Sequence, residues 1–165
     1  MALLNVNGRV LGTAVPWMDQ YSVDGQYSGA IQFRDQQVTG DITVSDGKTQ
    51  YGDFGSLDLL FMYNGAQFNV LNAFFRDFHN AEIQGAFRNI SNFKFNITPE
   101  STFRLDGFGQ LIPIDLTGEV QLNGELSRLN GHSRYVGDIY STNLYLNSQK
   151  IQMLSGGIDI NPHQV

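Results

Sequence analysis

Apolar and polar residues alternate along most of this chain. Ile31 and Phe33 flank Gln32, with Arg34 next; Phe93, Phe95 and Ile97 alternate with Lys94 and Asn96. Ile112, Ile114 and Leu116 follow the same rule, as do Leu144 with Leu146 and Ile151 with Met153. A period of two places successive side chains on opposite faces of a strand, one dry and one wet. Seven pairs punctuate these runs: Asn7-Gly8, Asp24-Gly25, Asp46-Gly47, Asn64-Gly65, Asp106-Gly107, Asn123-Gly124 and Asn130-Gly131. Both residue types tolerate the positive φ of a tight hairpin turn. Short strands with dense turn signals predict a mainly β chain, an antiparallel β-sandwich or β-barrel, in one domain spanning residues 1–165.

Trial registers support this reading. A four-residue loop at 34–37 sets Phe33 opposite Val38 and Ile31 opposite Gly40. A two-residue turn at Asn64-Gly65 pairs Tyr63 with Ala66, Phe61 with Phe68 and Leu59 with Val70, all on one face. At Asn123-Gly124 a three-residue bulged turn would set Leu122 opposite Leu126.

One segment breaks the period. Leu71, Phe74, Phe75 and Phe78 stand at i, i+3, i+4 and i+7, the stripe of a short amphipathic α-helix over about 70–79. Asn69 or Asn72 would cap its start and Asn80 would supply a left-handed stop. The helix would lay its aromatic face on a sheet, and strand pairing would resume over residues 82–87.

Composition narrows the function classes. Charged residues make up 16% of the chain, below the roughly 25% of ordinary globular proteins. Lys48, Lys94 and Lys150 are its only lysines, so the guard that usually protects edge strands is scarce. A net charge of −6, with scattered arginines, argues against specific nucleic-acid binding, which needs a basic stripe. With no cysteine, disulfides and thiolate chemistry are excluded. No stretch is apolar for long enough to form a membrane-spanning helix, and no secretory leader is evident, so assembly in a cytosol without membrane insertion is expected.

Catalytic patterns are sparse. His79, His132 and His163 lack a second ligand at metal spacing, so no metal site and no cofactor is expected. Ser133 follows His132, but neighbours on a strand point apart. Glu82, Glu119 and Asp115 are the carboxylates that could face one another across a groove, as glycoside hydrolysis requires; solvent-facing strand acids are the commoner case. Aromatic residues are enriched, and Trp17, Met18, Tyr21 and Tyr27 fall in the irregular stretch PWMDQYSVDGQYSG. Trp17, Met18 and Tyr21 are the candidate interface anchors there, because Trp, Tyr and Met are favoured in interface cores.

Residues 31–87 contain IQFRDQQVTGDI and FFRDFHNAEIQGAF. This resembles the barrel lobes of transferrin-binding-protein-like surface lipoproteins, with Glu82, Ile83, Gly85 and Phe87 on the family's spacing. Arg76-Asp77 stands where that family has Gly-Pro. The resemblance covers about a third of the chain and implies a monomeric β-barrel that binds a ligand or protein.

Two expectations follow. The first is a non-enzymatic structural protein that assembles with copies of itself, such as a phage tail tube or related virion or extracellular-particle subunit, meeting other particle proteins. The second is the monomeric binding barrel.

Overall fold

A computed structural model of the chain describes residues 2–10, 23–49, 52–77, 79–89, 91–108 and 115–161. The strands are β1 (Ala2–Val10), β2 (Val23–Arg34), β3 (Gln37–Thr49), β4 (Gly52–Tyr63), β5 (Phe68–Arg76) and β6 (Ala81–Asn89). They continue with β7 (Asn92–Ile97), β8 (Thr102–Arg104), β9 (Leu116–Leu129), β10 (His132–Leu146), β11 (Gln149–Ile151) and β12 (Leu154–Ile160). A 3-10 turn, Leu105–Phe108, follows β8. The mainly β, antiparallel expectation holds.

All strands join one sheet, in the order β1-β2-β3-β4-β5-β6-β7-β9-β10-β11. β8 extends β7 along β9, and β12 extends β11 along β10, so the sheet has ten strand positions. Among the described residues no second sheet faces this one, and β1 does not pair with β11 or β12. The strands thus form an open meander where a sandwich or barrel was expected. The chain exposes 10790 Å². A compact monomer of 18.4 kDa would expose about 8,200 Å².

The expected helix over 70–79 is absent; residues 68–76 are β5, paired with β4 and β6. The cause is a bulge at Leu71-Asn72. Val70 pairs with Gly85 and Ala73 with Ile83, so two residues of β5 oppose the single Gln84. The extra residue turns a spacing of two into three and imitates helical periodicity. Phe68, Val70, Ala73 and Phe75 therefore share one face, while Phe74 points to the other beside Glu82 and Leu71 stands exposed on the bulge. Phe78 lies outside the described residues. The segment is also rich in Asn, Val and Phe, which are indifferent helix formers.

Turn chemistry was partly foreseen. Asn130-Gly131 joins β9 to β10 with both residues at positive φ (53° and 84°), as a type I′ turn requires. Phe33 pairs with Val38 and Ile31 with Gly40, as expected. At Asn64 the loop has four residues, because its Oδ1 accepts from Ala66 N–H (3.2 Å) and Gln67 N–H (2.9 Å). The register slides by two, setting Tyr63 opposite Phe68 with the facing unchanged. Asn123-Gly124 is no turn: β9 runs straight through, and Gly124 pairs with Gly137.

The registers build one apolar face. One row crosses all ten positions as Leu4, Ile31, Gly40, Phe61, Val70, Gly85, Phe95, Leu126, Tyr135 and Ile160. The next row reads Val6, Gly29, Ile42, Leu59, Ala73, Ile83, Ile97, Gly124, Gly137 and Ile158. Neither contains a charge. Outside them Phe33, Tyr63, Phe68, Phe87 and Phe93 form an aromatic rim, with Phe61 stacked on Phe68 at 4.8 Å. The opposite face is polar; one of its rows reads Gln84, Asn96, Glu125, Val136 and Asp159.

The core is small and lies at one end of the apolar face. Among the described residues Ala73, Ala81, Val120 and Leu144 are its buried apolar side chains, beside His79, Ser101 and Ser141. An aromatic chain runs from Phe54 through Phe75 and His79 to Phe103, with centroids 5.7–6.4 Å apart. The 3-10 turn packs on both β9 and β4, which lie well apart in the strand order. The sheet is therefore folded over at this end.

Candidate functional site

On the polar face, irregularities on either side of β9 open a hollow. β7 and β8 are separated by Thr98–Ser101, so the chain leaves the ladder after Ile97 and rejoins it when Thr102 bridges Asn80. Ser101 stays buried; its hydroxyl accepts from Glu82 N–H at 3.1 Å. β10 carries a bulge between Tyr140 and Asn143, where the Ser141 hydroxyl donates to the Glu119 carbonyl at 2.5 Å. Between these defects lies a hollow of about 580 Å³ lined by Phe74, Arg76, Asp77, His79, Asn80, Thr102, Arg104 and Glu119. A smaller one of about 120 Å³ shares Thr102 and Glu119 and extends to Gln121, Tyr140 and Asn143.

Its arginines are paired within the chain. Arg76 pairs with Asp58 and lies 5.4 Å over the Phe74 ring, and Arg104 pairs with Asp106 at 3.3 Å. Of the lining acids, Asp77 accepts from the Ser56 hydroxyl, and Glu119 faces the hollow. Such exposed pairs add little stability.

His79 closes the hollow from the apolar side. Its Nδ1 accepts from the Arg104 backbone N–H at 3.1 Å, which places the ring proton on Nε2. Burial, then the nearby Arg104 charge, depresses its pKa to about 4. Its acceptor bond ties the β8 backbone at Arg104 to residue 79, with the ring neutral across the neutral pH range. The depressed pKa has a consequence for stability. Above pH 6.5 the ring is neutral folded or unfolded and contributes no pH dependence. As pH falls from 6.5 towards 4, the unfolded chain takes up a proton that the folded chain refuses, and stability drops. Urea unfolding at pH 7.5 and 4.5 should therefore show a His79-dependent loss on the order of 2 kcal/mol. His79→Gln removes that component; an equal loss in the variant would show that His79 is not its source.

The residues singled out from sequence scatter. Glu119 lines the hollow; Glu82 shares the polar face but not the lining, and accepts from Gln84 Nε2 at 3.0 Å. Asp115 is exposed, and its carbonyl accepts from Asn147 N–H. His132 opens β10, with Ser133 on the opposite face. Tyr27, expected in an irregular loop, is half-buried on β2 opposite Gly8 and Val44. Trp17, Met18, Tyr21 and His163 lie outside the described residues. Among the described residues no group of three His, Cys, Asp or Glu could hold a metal ion, and no helix is long and apolar enough to cross a membrane. The hollow itself was not foreseen: bulges and a broken strand bring Asn80, Thr102, Arg104 and Tyr140 together, and none has a local motif.

Comparison with protein-family models, with curated proteins and with solved structures finds no match. The resemblance of residues 31–87 to transferrin-binding-protein-like lobes thus rests on its local motifs, which fall on β2 to β6 of the open sheet.

Proposed function

We propose that this protein is a non-enzymatic structural subunit that assembles with copies of itself, of the kind that builds a tube or shell of a virion or related particle. The observation that carries this reading is the apolar face. Ten strands about 4.8 Å apart, carrying the two charge-free rows and the rim about 7 Å apart, give it on the order of 1,000 Å². Two copies meeting face to face would bury about 2,000 Å², the size of a stable interface. The second layer of a sandwich would then come from another molecule. Patches of this extent are rare on soluble monomers. Assembly takes place in the compartment of synthesis, and the polar face supplies solvation without a basic stripe for nucleic acid.

A second reading, a monomeric module that binds a ligand or protein, is favoured by the hollow around Thr102 and Glu119. Its arginines are already paired, and Asn80, Thr102 and Glu119 offer hydrogen bonds that fit a hydroxyl-rich ligand. Sedimentation across a wide concentration range in near-physiological salt separates the two. Assembly predicts species larger than the monomer that grow with concentration. A monomer at every concentration would remove the first reading and promote the second.

A further inference from the structure

We infer that copies join edge to edge, head to tail, with β1 of one copy pairing with β12 of the next to continue a single antiparallel sheet. This deepens the assembly reading and rests on it. Three observations carry it.

The first is parity. All ladders are antiparallel and the sheet has ten strand positions, an even number, so its outermost strands run in opposite directions. A second copy placed in the same orientation beside the first therefore meets β1 with an antiparallel partner, and no strand direction needs to change.

The second is the rows. At the β1 edge they end on Leu4 and Val6; at the other edge they end on Ile160 and Ile158. Setting Leu4 opposite Ile160 and Val6 opposite Ile158 extends both rows across the joint, and Gly8 then faces Gly156. In the same register Asn7 faces Gly157 on the polar side. Leu4 and Ile160 are 51% and 55% exposed, so side chains that would meet at the joint are in solvent in the single copy.

The third is the lack of edge protection. Lone sheet edges are usually guarded by lysine, proline or inward charges. β1 and β12 contain no lysine and no proline. Their charged residues, Arg9 and Asp159, are each engaged within the chain, by Asp24 at 3.0 Å and by Arg134 at 2.6 Å. Lys150 on β11 is the lone lysine at either edge. A joint between two different edges is heterologous, so it closes into a ring or propagates as a filament.

Cysteine cross-linking tests this, because the chain has no cysteine of its own. Asn7 is exposed, and a side chain at Gly157 would meet nothing closer than 3.9 Å, so both positions accept the change. Directly opposed residues bring their Cβ atoms to within about 5 Å, close to disulfide reach. Under mild oxidation, a mixture of N7C and G157C should give a covalent dimer that neither variant forms alone. The double variant should give a ladder of multimers. Dimers of N7C alone would overturn the inference in favour of a two-fold β1–β1 joint. A double variant cross-linked within single chains at all concentrations would overturn it in favour of a closed barrel. No cross-link in protein that sediments as an assembly would remove the edge joint and leave self-assembly standing; no cross-link in a monomer would remove both. As a second measurement, Asn5→Asp with Asn7→Asp, which sets a like charge opposite Asp159, should weaken assembly at least tenfold with an unchanged β spectrum. Unaltered assembly would overturn the joint.

Discussion

Gly137→Val should lower the free energy of unfolding by about 3 kcal/mol, read as a fall in the urea midpoint at unchanged slope. Gly137 sits inside the sheet, where β10 is paired with β9 on one side and β12 on the other. A Cβ there would lie 1.9 Å from the Asn123 carbonyl oxygen and 2.8 Å from the Gly124 Cα. Both obstacles are backbone atoms of the facing strand, so relief requires the ladder to open. Gly124 has φ of +140°, a conformation side chains rarely adopt, so the strand opposite has little freedom to retreat. Gly156 on β12 provides the control, since a Cβ there meets nothing within 4 Å. Gly156→Ala should change stability by less than about 0.5 kcal/mol. Equal effects at the two positions would show that the close approach of β9 and β10 has been misjudged.

Leu126→Asp should abolish assembly while leaving a folded monomer. Leu126 stands mid-row between Phe95 and Tyr135 and is 39% exposed in the single copy. A carboxylate there keeps part of its hydration until a second apolar face covers it. Covering it strands an unpaired charge, which costs at least about 3 kcal/mol, a loss of at least a hundredfold in affinity. The matched change on the polar face, Gln84→Asp, should leave assembly within a factor of about three. Circular dichroism checks the fold and sedimentation reads the assembly. Assembly of Leu126→Asp at wild-type concentrations would mean that the apolar face is not the interface.

How far the sequence reached can be stated strand by strand. Period two in β7 and in β2 was legible, as was the Phe33–Val38 register, because one face of each strand is apolar and a slip by one residue would expose it. The Asn130-Gly131 turn was legible because its backbone needs two positive φ values. Asn123-Gly124 misled for the same reason: the glycine serves a close approach between strands, and a local signal does not separate that use from a turn. β5 misled because a bulge adds one residue to an alternating strand, and the result scans like a helix. Whether the sheet closes could not be read at all, since closure depends on how two edges far apart in the chain are disposed. The hollow was illegible too, because it depends on where strands break.

The meander connectivity has a further consequence, for the order of events during synthesis. Every ladder joins neighbours in the strand order, and apart from the breaks at β8 and β11 those neighbours follow directly in the chain. Contacts of short sequence separation form early and quickly. Each strand leaving the ribosome can therefore dock on the one before it, without waiting for a distant segment. β1 is made before β12, so a copy whose synthesis has not reached β12 already presents one half of the proposed joint and lacks the other. Growth would then have a direction in time, with completed copies capturing nascent ones through β1. Ribosome-bound fragments ending after β6 should bind full-length protein, and the same fragments carrying Asn5→Asp and Asn7→Asp should not.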